Sequence, residues 1–214
     1  MEEIEIIRLV GTILALALAI IGHEIMHGWV AYKYGDKTAK EQGRLSINPI
    51  VHIDPIGSIL VPALLYFSGA PFLFGWAKPV PVYMPTVLRN GGTNGAVAVA
   101  LAGITYNLAL AGLFASILPM LLEPQSTMEA FFTFFVIQSI ILNVLLAVFN
   151  LIPVPPLDGA NAVRYLAMGW GWDSVVKFYD KIYPYGMIFI ILILATPLKD
   201  ILFSPVSWII KFLL

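Results

Sequence analysis

Long apolar stretches, almost free of charge, constrain this sequence more than any other feature. A helix that crosses a bilayer needs about 20 mostly apolar residues, and stretches of at least that length run from about Ile4 to Tyr32, Gly95 to Leu122 and Met128 to Ile152. Only 12% of the residues are charged and 59% are hydrophobic, whereas about a quarter of a soluble domain is charged. A water-soluble fold of 214 residues would need more polar surface than this. We therefore predict a multi-pass integral membrane protein whose surroundings are the lipid bilayer.

Two segments between the first two long stretches do not fit simple spanning helices. Gly57–Trp76 is apolar but is interrupted at Ser68–Pro71 by a Ser-Gly-Ala-Pro sequence. We expect it to be re-entrant, with each limb of about ten residues crossing half a bilayer. The prolines at positions 79 and 81 of Lys78–Val82 forbid a helix but suit the edge of a sheet. We expect a small β element there.

The remaining sequence predicts one domain. No internal repeat or long polar segment divides residues 1–214, so we expect a single domain that ends in hydrophobic segments at about 183–214. These last segments form two tilted helices or one broken helix. The fold class expected is an all-α polytopic membrane protein with about four to six transmembrane helices, the re-entrant segment and the small β element. The acidic N-terminus differs from a basic secretory signal, so no cleaved signal is expected.

The first apolar stretch contains the sequence His23-Glu24-Ile-Met-His27. Residues i and i+4 of a helix lie on the same face, so the two imidazoles can bind one metal ion while Glu24 reaches a water molecule beside it. Ionisable residues within a membrane helix are costly and normally mark function. The alternative is a polar cluster that only holds helices together. The pattern favours a zinc hydrolase with Glu24 as the general base.

A catalytic zinc ion needs a third protein ligand. The chain has no cysteine, so this ligand must be a histidine or a carboxylate. His52, in a polar loop, is one candidate. Asp158 is the other, and we favour it. It follows a proline-rich segment and precedes Gly159, which permits a tight turn that aims the carboxylate back into the bundle.

These residues together resemble the site-2 protease family of intramembrane zinc metalloproteases. The resemblance rests on the His-Glu-x-x-His motif at residues 23–27 and on Asn150-x-x-Pro-x-Pro-x-x-Asp158-Gly, and it covers a core at about residues 10–165. It implies one zinc ion per chain bound by His23, His27 and Asp158, and Glu24 as the catalytic acid and base. It also implies that Asn150 polarises the scissile carbonyl. The segment from Ala102 to Asn107 matches the family's Ala-Gly-Pro-x-x-Asn motif except that isoleucine replaces proline. The family's PDZ and CBS domains have no room here, so we expect the compact form.

The path of the chain gives an independent prediction of orientation. His23, His27 and Asp158 can meet only if Gly57–Trp76 crosses the membrane an even number of times. Nine of the twelve basic residues then lie on the face where the zinc site opens: Lys33, Lys37, Lys40, Arg44, Lys78, Arg89, Arg164, Lys177 and Lys181. By the positive-inside rule this face is cytoplasmic and the N-terminus lies outside.

The expected function is cleavage of transmembrane segments of membrane-protein substrates near the cytoplasmic face, as in regulated intramembrane proteolysis. The alternatives are a metal transporter, a non-catalytic zinc-binding helix bundle, and a membrane CAAX endoprotease. The last should use a glutamate as its third ligand, and no suitable one appears besides Glu24. A net charge of −1 gives no reason to expect nucleic acid as a partner.

Overall fold

The structure is a computed structural model that describes residues 2–70 and 74–214. Its described part consists of helices and connecting segments, with no β-strand in the described ranges. The helices, in chain order, are α1 (Glu2–Lys33), α2 (Thr38–Glu41), α3 (Val61–Phe67), α4 (Met84–Ile117), α5 (Thr127–Leu151), α6 (Asp158–Gly169), α7 (Asp173–Ile182), α8 (Gly186–Ala195), α9 (Leu198–Leu202) and α10 (Ser204–Leu213).

The prediction of an all-α membrane protein is confirmed. Within the described ranges, four helical stretches are long and apolar enough to cross a membrane. They are Ile4–Lys33, Met84–Leu121, Thr127–Leu151 and Asp173–Ala195. This number is the lower end of the predicted four to six. The chain is therefore an integral membrane protein.

Helices α1, α4 and α5 pack against one another and form the centre of the bundle. The side chains between them are small: Ala15, Ala19, Ala96, Ala111 and Ala147 are 0–1% exposed. Large apolar side chains face outward instead, among them Leu9, Ile13 and Leu113, which are 56–61% exposed. Small residues let membrane helices approach closely, since lipid gives no hydrophobic drive for large side chains to turn inward. This arrangement brings the backbones of α1 and α4 close enough for side chains to bridge them.

Helix α4 is broken near its start. Gly92 has φ +60° and ψ −159°, a conformation that suits glycine, and it separates a short N-terminal helix from the long spanning part. The two adjacent glycines of the Asn90-Gly-Gly sequence suit such a break. The spanning part thus begins one residue after the break, as the sequence pattern predicted to within two residues.

The segment after the first connection forms a hairpin that returns to its origin. A π-helical turn at Pro55–Leu60 leads into α3, and the chain turns at Ser68–Ala70. It comes back so that the Trp76 N–H donates to the Gly57 carbonyl at 3.1 Å. The 13 apolar residues of Pro55–Phe67 are too short to span. The expected re-entrant path is therefore the one the chain follows, although Pro71 of the expected break lies outside the described residues.

The expected β element is wrong. Residues 77–83 have no helical or strand assignment, and in the described part of the chain no strand pairs with them. Single hydrogen bonds hold this segment instead. The Lys78 N–H donates to the His52 carbonyl at 2.8 Å, and Arg44 Nη2 donates to the Lys78 carbonyl at 2.7 Å. The prolines at 79 and 81 remove backbone donors at alternate positions, which prevents a regular ladder on that edge.

The C-terminal hydrophobic segments form α8 and α10, joined by the short α9. Helices α8 and α10 have ten residues each, or about 15 Å, which is less than half of the thickness of a bilayer including its headgroups. Helix α8 crosses only as the continuation of α7, and α10 packs against α5. Three short helices, α8, α9 and α10, therefore follow residue 185, where the sequence indicated two tilted helices or one broken helix.

Candidate metal centre and active site

Helix α1 presents two imidazoles to the interior of the bundle. His23 and His27 are one helical turn apart, and their Nε2 atoms lie 3.1 Å from each other. His23 is 6% exposed. Each ring makes a hydrogen bond through Nδ1 with an acceptor on α4: Asn107 Oδ1 lies 2.6 Å from His23, and the Val99 carbonyl lies 2.7 Å from His27. Because a carbonyl oxygen only accepts, His27 Nδ1 must be the protonated nitrogen.

Asp158 comes from the far end of the chain to the same point. It is the first residue of α6, after a connection that begins where α5 ends at Leu151. Its Oδ2 lies 3.0 Å from His23 Nε2 and 3.2 Å from His27 Nε2. Gly159 makes this approach possible, since a Cβ there would lie 2.2 Å from the Leu151 carbonyl oxygen.

The two Nε2 atoms and Asp158 Oδ2 are placed to bind a metal ion rather than to hydrogen-bond to one another. With the imidazole protons on Nδ1, both Nε2 atoms and the carboxylate oxygen present lone pairs within 3.0–3.2 Å. Asp158 Oδ2 is buried and has no hydrogen-bond partner among the described residues. A tetrahedral zinc ion with bonds of about 2.0–2.2 Å would hold its ligand atoms about 3.3 Å apart. In residues 2–70 and 74–214, this is the cluster of side chains that could hold a metal.

A glycine of α4 gives the His23 ring its place. A Cβ added at Gly103 would lie 2.4–2.5 Å from three atoms of that imidazole. Asn107 follows one turn later on the same face and bonds His23 Nδ1. The Ala-Gly-x-x-x-Asn sequence of α4 therefore has a physical reason here: the glycine leaves room for the ring and the asparagine binds it.

Glu24 faces the same cavity as the three candidate ligands. The cavity measures about 730 Å³, and His23, Glu24, His27 and Asp158 all line it. The Val80 N–H donates to Glu24 Oε2 at 2.8 Å, which holds the carboxylate beside the cavity wall. A carboxylate next to two metal-binding imidazoles can exchange protons with a water molecule in the cavity.

Asn150 and His52, the other two candidates from the sequence, lie in different places. Asn150 lines the cavity, with its Nδ2 donating to the Leu146 carbonyl of its own helix at 3.1 Å. His52 is 3% exposed in a turn outside the cluster, where its Nε2 donates to the Ser46 carbonyl at 2.7 Å. The structure thus brings Asp158, and not His52, to the two imidazoles of α1.

Sequence reasoning missed the groups that support the site. The carbonyl of Val99 and the amide of Val80 are backbone atoms, and no residue pattern marks them. Asn143 is 0% exposed and bonds to Asn107. The sequence did indicate this residue, because a polar side chain within an apolar spanning helix is unusual.

Comparison with known proteins places these observations in a family. The profile of peptidase family M50 matches residues 121–194. YwhC of Bacillus subtilis, described as a "Putative zinc metalloprotease", is 36% identical over 201 residues, which are 90% of this chain and 84% of YwhC. MJ0611 of Methanocaldococcus jannaschii, with the same description, is 32% identical over 74% of this chain and 72% of its own length. Rip2 of Mycobacterium tuberculosis, also so described, is 31% identical over 66% of this chain, and the match spans about half (51%) of Rip2. No solved structure matches the chain.

Proposed function

The chain belongs to peptidase family M50, the site-2 proteases, and we propose that it cuts transmembrane segments of other membrane proteins near the cytoplasmic face. Membership makes it a zinc metalloprotease, because relatives that cover most of its length carry that description. The proposal concerns the finer points: the substrate class, the residues that act, one zinc ion per chain and the orientation in the membrane.

One observation carries the proposal. Two imidazole nitrogens and one carboxylate oxygen meet within 3.2 Å beside a cavity in a bundle of membrane-spanning helices, and Glu24 lines that cavity. A transporter would need polar positions along several helices to make a path. Here the ionisable side chains within the bundle, His23, Glu24, His27 and Asp158, gather at one cavity, which favours a reaction site over a route through the membrane.

The residues divide the work of peptide hydrolysis. We assign His23, His27 and Asp158 to hold one zinc ion, which when bound supplies the Lewis acidity that activates water and polarises a carbonyl. Glu24 takes the proton of the attacking water on its carboxylate and delivers it to the leaving amine. Asn150 has two amide hydrogens, of which one bonds its own helix, so the second can donate to the developing oxyanion.

A transmembrane substrate must unwind before its scissile bond can enter the cavity. Unwound backbone in lipid needs hydrogen-bond partners. The segment 77–83 borders the cavity through Ala77, Pro79, Val80 and Val82, and the Val82 N–H donates no hydrogen bond to a described residue. We propose that the substrate pairs with this segment by strand addition. Val82→Pro tests this pairing because it deletes one backbone donor of the segment. Strand addition predicts slower cleavage by this variant, and unchanged cleavage would mean that the segment is only a structural support.

The experiment that tests the function uses the full chain in liposomes. A single-span substrate protein with an affinity tag at each end is co-reconstituted with enzyme that has been stripped of metal and then reloaded. We expect no cleavage after stripping, full recovery with one equivalent of Zn²⁺, and a cut within the spanning segment by mass spectrometry. Stoichiometric zinc binding without cleavage of any such substrate would leave a non-catalytic helix bundle. A cut only in the substrate's extramembrane tails would reject the substrate class.

A further inference from the structure

The core of the bundle contains three polar side chains that the proposed chemistry does not use. Asn107, Asn143 and Ser139 are each 0% exposed, between helices otherwise packed through apolar and small residues. Burying an amide costs free energy unless it is hydrogen-bonded. Helix association alone would account for polar bonds between helices, but it would not require them to run in one direction toward the candidate metal centre.

Two backbone carbonyls fix the direction of this network. Asn143 Nδ2 donates to the Ser139 carbonyl at 2.8 Å, so Asn143 Oδ1 must be the atom that faces Asn107. Asn107 Nδ2 donates to the Ala19 carbonyl at 3.1 Å and to Asn143 Oδ1 at 2.8 Å. A carbonyl oxygen only accepts, so neither amide can be reversed without losing a bond. Asn107 Oδ1 therefore faces His23.

The consequence is a fixed tautomer of His23. Asn107 Oδ1 lies 2.6 Å from His23 Nδ1 and can only accept, so Nδ1 carries the proton. The lone pair of Nε2 is then free to point at Asp158 and His27. His27 reaches the same state through the Val99 carbonyl, which needs no support to remain an acceptor. His23 instead depends on a side-chain amide that could rotate.

We propose that Asn143 is a positioning residue of the metal centre: it holds Asn107 with its oxygen toward His23 and thereby keeps His23 Nε2 ready to bind the ion. This rests on the proposed function only in taking the three-residue cluster as a zinc site. Outer groups that orient a metal-binding histidine contribute about 10–100-fold to metal affinity. Asn143 contacts Asn107 and not the histidine itself, so we expect its loss to weaken zinc binding by about tenfold, the lower end of that range.

The experiment compares zinc affinity by chelator competition in purified full-length variants without substrate. Asn143→Leu removes the acceptor for Asn107 and should weaken zinc binding about tenfold. Asn143→Asp, protonated in this apolar core, offers a carbonyl oxygen to Asn107 and an O–H to Ser139, and should retain wild-type affinity. Ser139→Ala is the matched control, because its buried Oγ has no partner among the described residues.

Three results would overturn the inference. Equal zinc affinity of wild type and Asn143→Leu removes the positioning role, whatever the chain cleaves. An equal loss in Ser139→Ala means that packing alone is responsible. A wild-type chain that binds no zinc overturns both this inference and the proposed metal centre. The metal-free melting temperature of each variant separates lost folding from lost affinity.

A second measurement needs no variant of the core. The chain has only three histidines, so ¹⁵N-histidine spectra of the zinc-loaded protein are simple to assign. The Nδ1–H of His23 should give a sharp proton signal protected from exchange, as it lies against buried Asn107. A freely exchanging His23 Nδ1–H would contradict the proposal even if Asn143→Leu does not fold.

Discussion

The backbone N–H of Val80 donates a 2.8 Å hydrogen bond to Oε2 of Glu24, joining two residues that are 56 positions apart. This bond connects α1 to the segment 77–83, which lies along the cavity. Glu24, the proposed general base, therefore does not depend on its own helix alone for its position. Anything that moves the segment also moves the carboxylate.

Glu24→Gln separates the proton-transfer role of this residue from its structural role. The glutamine carbonyl can still accept from the Val80 amide, so the fold and the candidate metal ligands are expected to persist. The side chain can no longer take a proton from water, and cleavage should fall by about 10²–10⁴-fold. Zinc content by mass spectrometry should equal that of wild type.

Glu123→Gln is the control for this variant, because Glu123 is an exposed glutamate in the connection between α4 and α5. It should cleave at the wild-type rate. Residual turnover of Glu24→Gln at that same rate would overturn the assignment of the base. Loss of zinc together with activity would instead show that Glu24 holds the site together.

Asp36 predicts a pH dependence of stability at the end of α1. Burial would raise the pKa of this carboxyl, but bonds from the Thr38 hydroxyl (2.5 Å), the Thr38 amide (3.0 Å) and the Tyr83 amide (2.6 Å) outweigh it and hold the pKa below its usual value. A depressed folded-state pKa stabilises the protein above the unfolded pKa, about 3.9 for Asp. That stabilisation is lost as pH falls through the folded-state value.

We therefore expect Asp36→Asn to lower the melting temperature in detergent at pH 7. The difference from wild type should shrink as pH falls below about 4. Glu41→Gln, at an exposed position of the same connection, should match wild type across the range. A difference that stays constant down to pH 3 would show that the charge of Asp36 is not what stabilises the connection.

The sequence was most informative where the chemistry depends on local periodicity. The register of His23 and His27 follows from the helical repeat, and the turn at Asp158 follows from prolines and a glycine. The contacts of Val80, Val99 and Asn143 depend on how distant segments of the chain pack together. No local sequence pattern predicts that packing. The β element was wrong for a related reason: alternate prolines indicate extended backbone, but only a neighbouring strand makes a sheet.

The hairpin before α4 predicts which positions share a face of the membrane. The bond from Arg44 to the Lys78 carbonyl means that the two loops lie on the same side. The chain has no cysteine, so single-cysteine variants need no background changes. In inverted membrane vesicles, Glu41→Cys and Lys78→Cys should both react with an impermeant maleimide, and Glu123→Cys should react only after permeabilisation.

This labelling tests path and orientation separately. Opposite accessibility of positions 41 and 78 would reject the re-entrant path. If position 123 reacted at once and positions 41 and 78 reacted only after permeabilisation, the path would be retained. The zinc face would then lie outside, against the distribution of basic residues.

Gly103→Ala tests the contact between α4 and the first candidate ligand. The added methyl group would lie 2.4–2.5 Å from the His23 ring, closer than side chains tolerate, so the imidazole or the helix must shift and the present geometry of the three candidate ligands is lost. Zinc affinity should fall by at least tenfold, within the range seen when a ligand loses its support.

Gly112→Ala is a matched control nine residues along the same helix, where a Cβ would meet nothing within 4 Å. It should leave zinc affinity unchanged and raise stability by up to about 1 kcal/mol, because alanine favours a helix more than glycine does. Both are measured by chelator competition and thermal melting in the same detergent. If Gly103→Ala bound zinc like Gly112→Ala, the His23 ring could not lie where the structure places it, and the geometry of the candidate metal centre would have to be redrawn.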